Sequence, residues 1–548
     1  MDFASGFFGD IAHGLRVLNL VDTLLVIVVG VGIYLAVNGE SAKALYGLLP
    51  GTKCDSGSSG KTSKSAFGWL SSIIKQIRDA YVEGTLVSLL SRWTESCVKI
   101  VRLAITCYLL EAISQSRRHY FYLLEKKFLK LEIRKGETEK ESYVDIKKHL
   151  QRKGVWPYMQ EVSQPRSDKV LCEGYEATPM SSYSYLDLVY DERVQKKAIE
   201  AAQQYSTGSH GPRMLGGNTP LLRELEKAVG EFFGREDSLI VATGYMACMG
   251  AVCAIYKKGD VFFGDDRLHA SIRAGFKVSG AKVYFFKHNN MAHLEQLVKQ
   301  YRRKYRDAWI FIESVYSMDG DIAPLPDVRS IADKYDMKIC IDEAHGMGVL
   351  GKMGRGLEEH FNMPGAADVI VGTFSKSAAG VGGYITSNKL FVDFLDFHTP
   401  GNTFSAALPA YCAGGVLESL RIISSEPERV EKCRRNSLYL RNLIKSGGGY
   451  WPADYPEDKK YTVEGDDCTS VIAVVFKDDI LRVIDVAHEM LKRGWLLSCV
   501  AFPACPLRFP RFRVTARAGY TQQLMDNFVK DLVECSVACP GSELTDSM

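Results

Sequence analysis
From about Pro157 onward the chain alternates short β-rich runs with helix-patterned runs, and nothing else in the sequence restricts the fold as strongly. Ser238–Ala242, Lys258–Phe263, Lys282–Phe286, Ala308–Ile312, Lys338–Ile341 and Ala367–Gly372 carry the β-branched and aromatic residues of buried strands. Leu221–Phe233, His293–Tyr305 and Pro326–Tyr335 place apolar residues at helical spacing. Such alternation predicts an α/β fold with a large, mainly parallel sheet covered on both faces. In such sheets ligands gather beyond the carboxyl ends of the strands. Asp342, His345 and Lys376 each fall just after a predicted strand.

The organisation follows from the texture of the chain. Residues 157–423 read as the large α/β domain, 424–540 as a smaller α+β domain and 541–548 as a polar tail. Upstream, 1–16 form a short leading segment. Residues 17–37 form an apolar run whose unbroken part, Thr23–Val37, is short for a spanning helix, which wants about 20 residues. Asp2 and Asp10 precede that run and no small-residue cleavage site follows it, so it is expected to be an uncleaved transmembrane signal anchor. Lys43, Lys53, Lys61 and Lys64 follow it, which orients the bulk of the chain toward the cytosol. A linker, 38–78, leads to a helical region, 79–156. Within it, Tyr81–Ser114 has the pattern of helices packed on the protein or lying in a membrane interface, and both readings stand. Arg117, Arg118, Lys126, Lys127 and Lys130 offer a basic face, either solvated or set against anionic headgroups.

Composition excludes some classes. A net charge of +3 gives no electrostatic footprint for nucleic acid. The fourteen cysteines lack paired metal-ligand spacing, so no metal site is expected. Cys248, Cys253 and Cys340 lie in apolar runs as buried thiols, consistent with a reducing compartment.

The chemistry concentrates in Gly372-Thr373-Phe374-Ser375-Lys376-Ser377 and Ile341-Asp342-Glu343-Ala344-His345. A lysine in a small polar loop after a buried strand is a candidate Schiff-base amine. An aspartate ending an apolar strand can hold a buried cation. Together they meet the needs of pyridoxal phosphate, whose aldehyde takes the amine and whose ring nitrogen takes the carboxylate. Three further motifs keep them company: Gly264-Asp265-Asp266-Arg267-Leu268-His269, Lys287-His288-Asn289-Asn290-Met291 and Glu313-Ser314-Val315-Tyr316-Ser317-Met318-Asp319-Gly320-Asp321. This ordered set resembles the α-oxoamine synthases, a branch of the fold-type I pyridoxal phosphate enzymes. The Ser377 that follows the lysine and the loop Phe502-Pro503-Ala504-Cys505-Pro506 are similar to the serine palmitoyltransferase group of that family.

The resemblance implies roles. Lys376 would hold the cofactor and later act as base, and Asp342 would pair with the ring nitrogen. His345 would hydrogen-bond the phenolic oxygen, and His269 would stack on the ring. Gly244 and Tyr245, opening a helix, and Thr373 would receive the phosphate, joined by Ser405 from a neighbouring subunit, so that the active unit is a homodimer or a heterodimer with a related chain. Arg513 would grip the amino acid carboxylate. Ser184 stands where the family tends to have Asn, and Tyr520 and Cys505 also depart from its pattern; His210 is given no role. The implied reaction is the decarboxylating condensation of L-serine with a long-chain acyl-CoA, at the endoplasmic reticulum membrane. A different amino acid and acyl-CoA pair, or a non-catalytic subunit, are the alternatives. The presence of Lys376, Asp342, His269 and His345 weighs against the last.

Overall fold
The computed structural model describes residues 147–539, apart from 149, 153, 164–168, 478, 502–503 and 507. The expected anchor at 17–37, the segments 1–16 and 38–78, most of the helical region 79–156 and the tail 541–548 lie outside the described residues. Among the described residues, no helix is long and apolar enough to cross a membrane.

The first described strands form an antiparallel ribbon of three, β1 (Val162–Ser163), β2 (Val170–Cys172) and β3 (Tyr175–Pro179). The alternation read from the sequence then becomes a seven-stranded sheet. Its strands are β4 (Asp237–Val241), β5 (Val261–Asp265), β6 (Lys282–Phe286), β7 (Ala308–Glu313), β8 (Lys338–Asp342), β9 (Val369–Thr373) and β10 (Gly383–Ser387), in the order β4-β10-β9-β8-β7-β5-β6. The five strands β5 to β9 run parallel, while β10 is antiparallel to both β9 and β4. Strands β7, β8 and β9 are buried nearly throughout and read as near-continuous apolar runs, as strands covered on both faces must.

Two differences from the sequence reading have local causes. The strand expected to begin at Lys258 begins at Val261, because Lys257–Asp260 form a turn: Asp260 N–H donates to the Lys257 carbonyl and Gly259 adopts φ +100°. The helix expected to reach Tyr305 spans Met291–Tyr301, after which Arg302–Lys304 tighten into a 3-10 turn. There the Arg302 guanidinium donates to the carbonyls of Tyr305, Tyr335 and Asp336 and ties the turn down.

The C-terminal part holds a second sheet of β11 (Thr462–Glu464), β12 (Val471–Val475), β14 (Cys499–Val500) and β15 (Arg511–Thr515), all antiparallel. Helices Ile480–Lys492 and Gln522–Ala538 bury Val483, Val486, Met490, Phe528 and Leu532 in its core. Between β12 and β14, strand β13 (Trp495–Leu496) leaves this sheet and pairs in parallel with β3.

Candidate active site
Parallel pairing brings the carboxyl ends of β5, β7, β8 and β9 to one edge of the large sheet. In register, Glu313 lies beside Asp342 and Asp342 beside Val371. The antiparallel β10 starts at the same edge, where Gly383 pairs with both Thr373 and Val241. The helix Gly244–Ile255, which follows β4, therefore opens there. Thr243 caps it by accepting the Met246 N–H at 3.2 Å.

Asp342 is buried at the end of β8. Its Oδ1 accepts the Ala344 N–H at 2.9 Å. Its Oδ2 is met by the Cys248 thiol at 3.3 Å, a weak donor from the helix that opens at Gly244. A carboxylate held this way keeps acceptor capacity for a stronger donor.

Lys376 follows β9 in a loop pinned from several sides. Phe374 N–H donates to the Gly382 carbonyl, and Ala379 N–H to that of Lys376. Ser377, buried, donates to the Met347 carbonyl at 2.6 Å and so fastens the lysine loop to the turn that follows His345. The Lys376 Nζ lies 5.6 Å from the centre of the Tyr183 ring. Burial pushes its amine below the usual lysine value, while Asp342 and Glu313 pull the other way.

His345 is buried between two tyrosines. Tyr185 Oη lies 2.7 Å from Nδ1, and the Tyr183 ring meets it edge-on at 5.7 Å. Burial, with Lys376 and His269 nearby, holds this imidazole well below its usual value, so it is neutral. With the phenol as donor to Nδ1, the imidazole proton sits on Nε2 and is free to be donated. His269 caps the helix Ala270–Ser279, its Nδ1 accepting the Ser271 N–H at 3.3 Å. Its main-chain N–H donates to Glu313 Oε1 at 2.5 Å. Burial lowers its basicity, Asp342 raises it and Lys376 lowers it further.

Gly244 packs so closely on Thr373 that a Cβ there would lie 2.4 Å from the threonine Cβ and 2.7 Å from Oγ1. The Thr373 hydroxyl is shared with Ser375 Oγ at 2.8 Å. A helix N-terminus with its first N–H groups beside two hydroxyls is an anion cradle. Tyr245 stands at its rim, half exposed, with its ring 6.4 Å from that of His269.

Arg513 comes from β15 of the C-terminal sheet and is buried. It donates to the Tyr183 hydroxyl and lies over the Tyr183 ring at 4.5 Å, and Nη1 reaches the Ser317 carbonyl at 3.4 Å. Among the described residues its Nε has no partner. Burial pulls the guanidinium down to about 10, and among the described residues no carboxylate forms an ion pair with it. A buried cation in that condition is a receptor for an anion.

Lys376, Asp342, His269, His345 and Arg513 thus converge, with Gly244, Tyr245 and Thr373 beside them. Ser184 is buried next to Tyr183, and among the described residues its Oγ has no partner. Ser405 stands apart: it is half-buried in the loop after the short helix Pro400–Thr403, beside Phe404, whose side chain is 85% exposed. Among the described residues it forms no hydrogen bond to the cluster. Sequence reasoning gave no role to Tyr183, Tyr185, Cys248 or Glu313. The two tyrosines flanking Ser184 were the available signal; Cys248 carried none, because its contact with Asp342 spans 94 residues.

The donor set fits pyridoxal phosphate. A buried amine of depressed basicity, a buried carboxylate oxygen met by a thiol, and a glycine cradle that a Cβ would fill answer to its aldehyde, ring nitrogen and phosphate. Comparison with known proteins agrees. The family described as aminotransferase class I and II matches residues 176–532. The 8-amino-7-oxononanoate synthase of Thermoanaerobacter pseudethanolicus is 31% identical over 70% of this chain and 93% of its own length. The serine palmitoyltransferase of Bacteroides ovatus is 32% identical over 72% of this chain and 97% of its own. Among solved structures, serine palmitoyltransferase from S. paucimobilis, with a bound PLP–myriocin adduct, superposes with a TM-score of 0.69 at 26% identity, covering 74% of this chain and 99% of that one.

Proposed function
The chain belongs to the aminotransferase class I and II family, as a pyridoxal phosphate-dependent α-oxoamine synthase, and from that premise we propose that it joins L-serine to a long-chain acyl-CoA, releasing CoA and carbon dioxide to give 3-oxosphinganine, the entry step of sphingolipid synthesis. The observation that carries this reading is the pairing of the Lys376–Asp342 site with the buried, unneutralised guanidinium of Arg513 on the same pocket.

When bound, the cofactor supplies an electron sink that stabilises negative charge at the amino acid α-carbon. The rest is done by the chain. Arg513 binds the serine carboxylate through its guanidinium fork, supported by Tyr183. Asp342, buried and oriented by the Ala344 N–H, would hold a positive charge on the ring nitrogen. Lys376, whose amine burial makes easier to deprotonate, takes the α-proton. His345, neutral and fixed by Tyr185, donates a hydrogen bond from Nε2. Gly244, Tyr245 and Thr373 would hold the phosphate at the N-terminus of the helix that opens at Gly244. His269, held by Ser271 and Glu313, would be among the residues that hold the ring.

The choice of serine and a long acyl chain draws on the Thr373–Ser377 loop and on the apolar run at 17–37, which suits an amphiphilic donor and an insoluble product. The same reading places the chain at the endoplasmic reticulum membrane as a single-pass protein with its catalytic part in the cytosol. It also makes the active unit a dimer, with a second copy or a related chain, in which Ser405 reaches the neighbour's phosphate.

Full-length protein purified in detergent tests this. It should be yellow, serine should shift its visible spectrum more than alanine or glycine does, and palmitoyl-CoA should release CoA faster than short-chain acyl-CoAs. Lys376→Ala should abolish turnover while the protein stays folded. Greater turnover with another amino acid or a short acyl chain would move the protein to a different α-oxoamine synthase activity, and full activity in Lys376→Ala would sink the proposal.

A further inference from the structure
The site holds a carboxyl that the reaction above does not use. Glu313 ends β7 and lies beside Asp342 in register. It is 3% exposed, and among the described residues no cation forms an ion pair with it. Burial, reinforced by the neighbouring Asp342, pushes its carboxyl well above the usual range. Two carboxyls side by side in a low-dielectric site do not both ionise. Asp342 has the Ala344 N–H and the Cys248 thiol as donors. Glu313 has a main-chain donor, the N–H of His269, at 2.5 Å.

That one bond joins two strand ends. His269 lies four residues beyond the end of β5, in a turn where Asp265 Oδ1 accepts the Arg267 N–H at 2.8 Å and Leu268 N–H reaches the Asp265 carbonyl at 3.3 Å. The His269 ring is held separately, by Ser271 N–H at 3.3 Å and Ser271 Oγ at 2.7 Å, both on Nδ1. The ring is therefore fixed relative to its helix, and the first turn of that helix is fixed relative to the sheet through Glu313. Without the carboxyl the His269 main chain keeps its tie to β5 through the Asp265 turn but loses its bond to the end of β7, while its ring stays bonded to Ser271.

We propose that Glu313 is a positioning residue: by accepting the His269 N–H it sets the height and tilt of the His269 imidazole over the cofactor ring. The proposal rests on the cofactor reading above. It requires an acceptor at this position and no negative charge, so glutamine, whose amide oxygen accepts the same bond, rescues what alanine loses.

The experiment compares wild type, Glu313→Ala, Glu313→Asp and Glu313→Gln by the visible circular dichroism of bound pyridoxal phosphate, which reports the asymmetry imposed on the ring, together with kcat and the serine KM. A ring displaced by about 1 Å costs on the order of 100-fold in rate. Glu313→Ala should lose most of the visible circular dichroism and about 100-fold in kcat, with the serine KM changed less than about 3-fold, since Arg513 is untouched. Glu313→Gln should recover most of both. If Glu313→Ala does not fold, Glu313→Asp, one methylene too short to reach, takes its place. Wild-type circular dichroism and kcat in the alanine or aspartate variant would overturn the proposal, as would a glutamine variant as impaired as alanine. Absence of a visible band in wild type would instead refute the cofactor reading itself, so the two failures are distinct.

Discussion

Replacing Gly244 by alanine tests the phosphate cradle directly. The added Cβ would lie 2.4 Å from Thr373 Cβ and 2.7 Å from Oγ1, where ordinary contact is 3.4–4 Å. Relief therefore needs about 1 Å of movement. Thr373 cannot supply it cheaply. It is buried, it sits in a strand paired on both sides, and its hydroxyl is bonded to the Gly382 carbonyl at 3.1 Å and to Ser375 Oγ at 2.8 Å. The helix start must move instead, and it carries the N–H groups assigned to the phosphate. Overpacking of this kind costs about 1–3 kcal/mol in fold stability, of which the better helix propensity of alanine returns about 0.5–1. The larger effect is on binding. A charge-assisted hydrogen bond contributes about 1.5–3 kcal/mol, so losing one weakens cofactor affinity about 10- to 150-fold. The measurement is an equilibrium titration of cofactor-free protein with pyridoxal phosphate, followed by absorbance, with melting curves of the cofactor-free proteins alongside. Gly208→Ala, where an added Cβ meets nothing within 4 Å, is the control. If Gly244→Ala binds the cofactor within about 3-fold of wild type, the helix start is not where the phosphate sits.

Three further outcomes follow from the site and its surroundings. Arg513→Ala should lower kcat/KM for serine at least about 30-fold, because truncating one partner of a buried charged pair costs about 2–5 kcal/mol, while the cofactor spectrum stays as in wild type; an unchanged serine KM would count against the carboxylate role. Tyr185→Phe should leave His345 Nδ1 buried without a partner and lower the urea unfolding free energy by about 1–3 kcal/mol, and an unchanged midpoint would show that the 2.7 Å contact contributes nothing. His288 lies between Asp265 at 2.9 Å and Asp321 at 2.6 Å; burial alone would lower its basicity, but the two carboxylates reverse this and raise it to about 9. Its folded value exceeds the unfolded 6.5, so its contribution, about 3 kcal/mol, is complete below pH 6.5 and is lost as pH climbs through 9. The stability gap between wild type and His288→Asn should therefore shrink between about pH 6 and pH 10, and parallel pH profiles would refute the assignment.

What the sequence made legible was local. Asp342 and His345 share one turn, and Lys376 follows the next strand of the sheet, so strand periodicity and the strand-end rule were enough to bring them to one edge. What stayed hidden depended on contacts between distant parts of the chain. Strand β10 reverses direction after the lysine loop, through Gly382 at φ +131°, and its five residues gave no signal of orientation. Arg513 was legible as a carboxylate grip, but nothing in its run of arginines signalled its burial or that of Arg511: in the fold Arg511 is fully buried, paired with Asp319 at 2.8 Å, and the loop that carries Asp319 also offers Arg513 the Ser317 carbonyl. His288 read only as part of a motif, because the Asp321 that completes its pairing belongs to another loop.

The parallel pairing of β13 with β3 has a consequence for how the chain is made. The ribbon Val162–Pro179 is the earliest described sheet to leave the ribosome, yet its outer strand gains its neighbour only when Gly494–Ser498 appear: Thr178 N–H reaches the Gly494 carbonyl at 2.8 Å, and Ser498 N–H meets Ser181 Oγ from 317 residues away. At about 5–20 residues per second that interval is roughly 15–60 s. For this time β3 presents an unpaired edge to the crowded surroundings of a growing chain, an invitation to pair with the wrong strand. Yield during synthesis, rather than the stability of the finished protein, is therefore where changes at Tyr175–Pro179 and Trp495–Leu496 should register first, and slower translation or a holding chaperone should matter more for this chain than its well-packed sheets suggest.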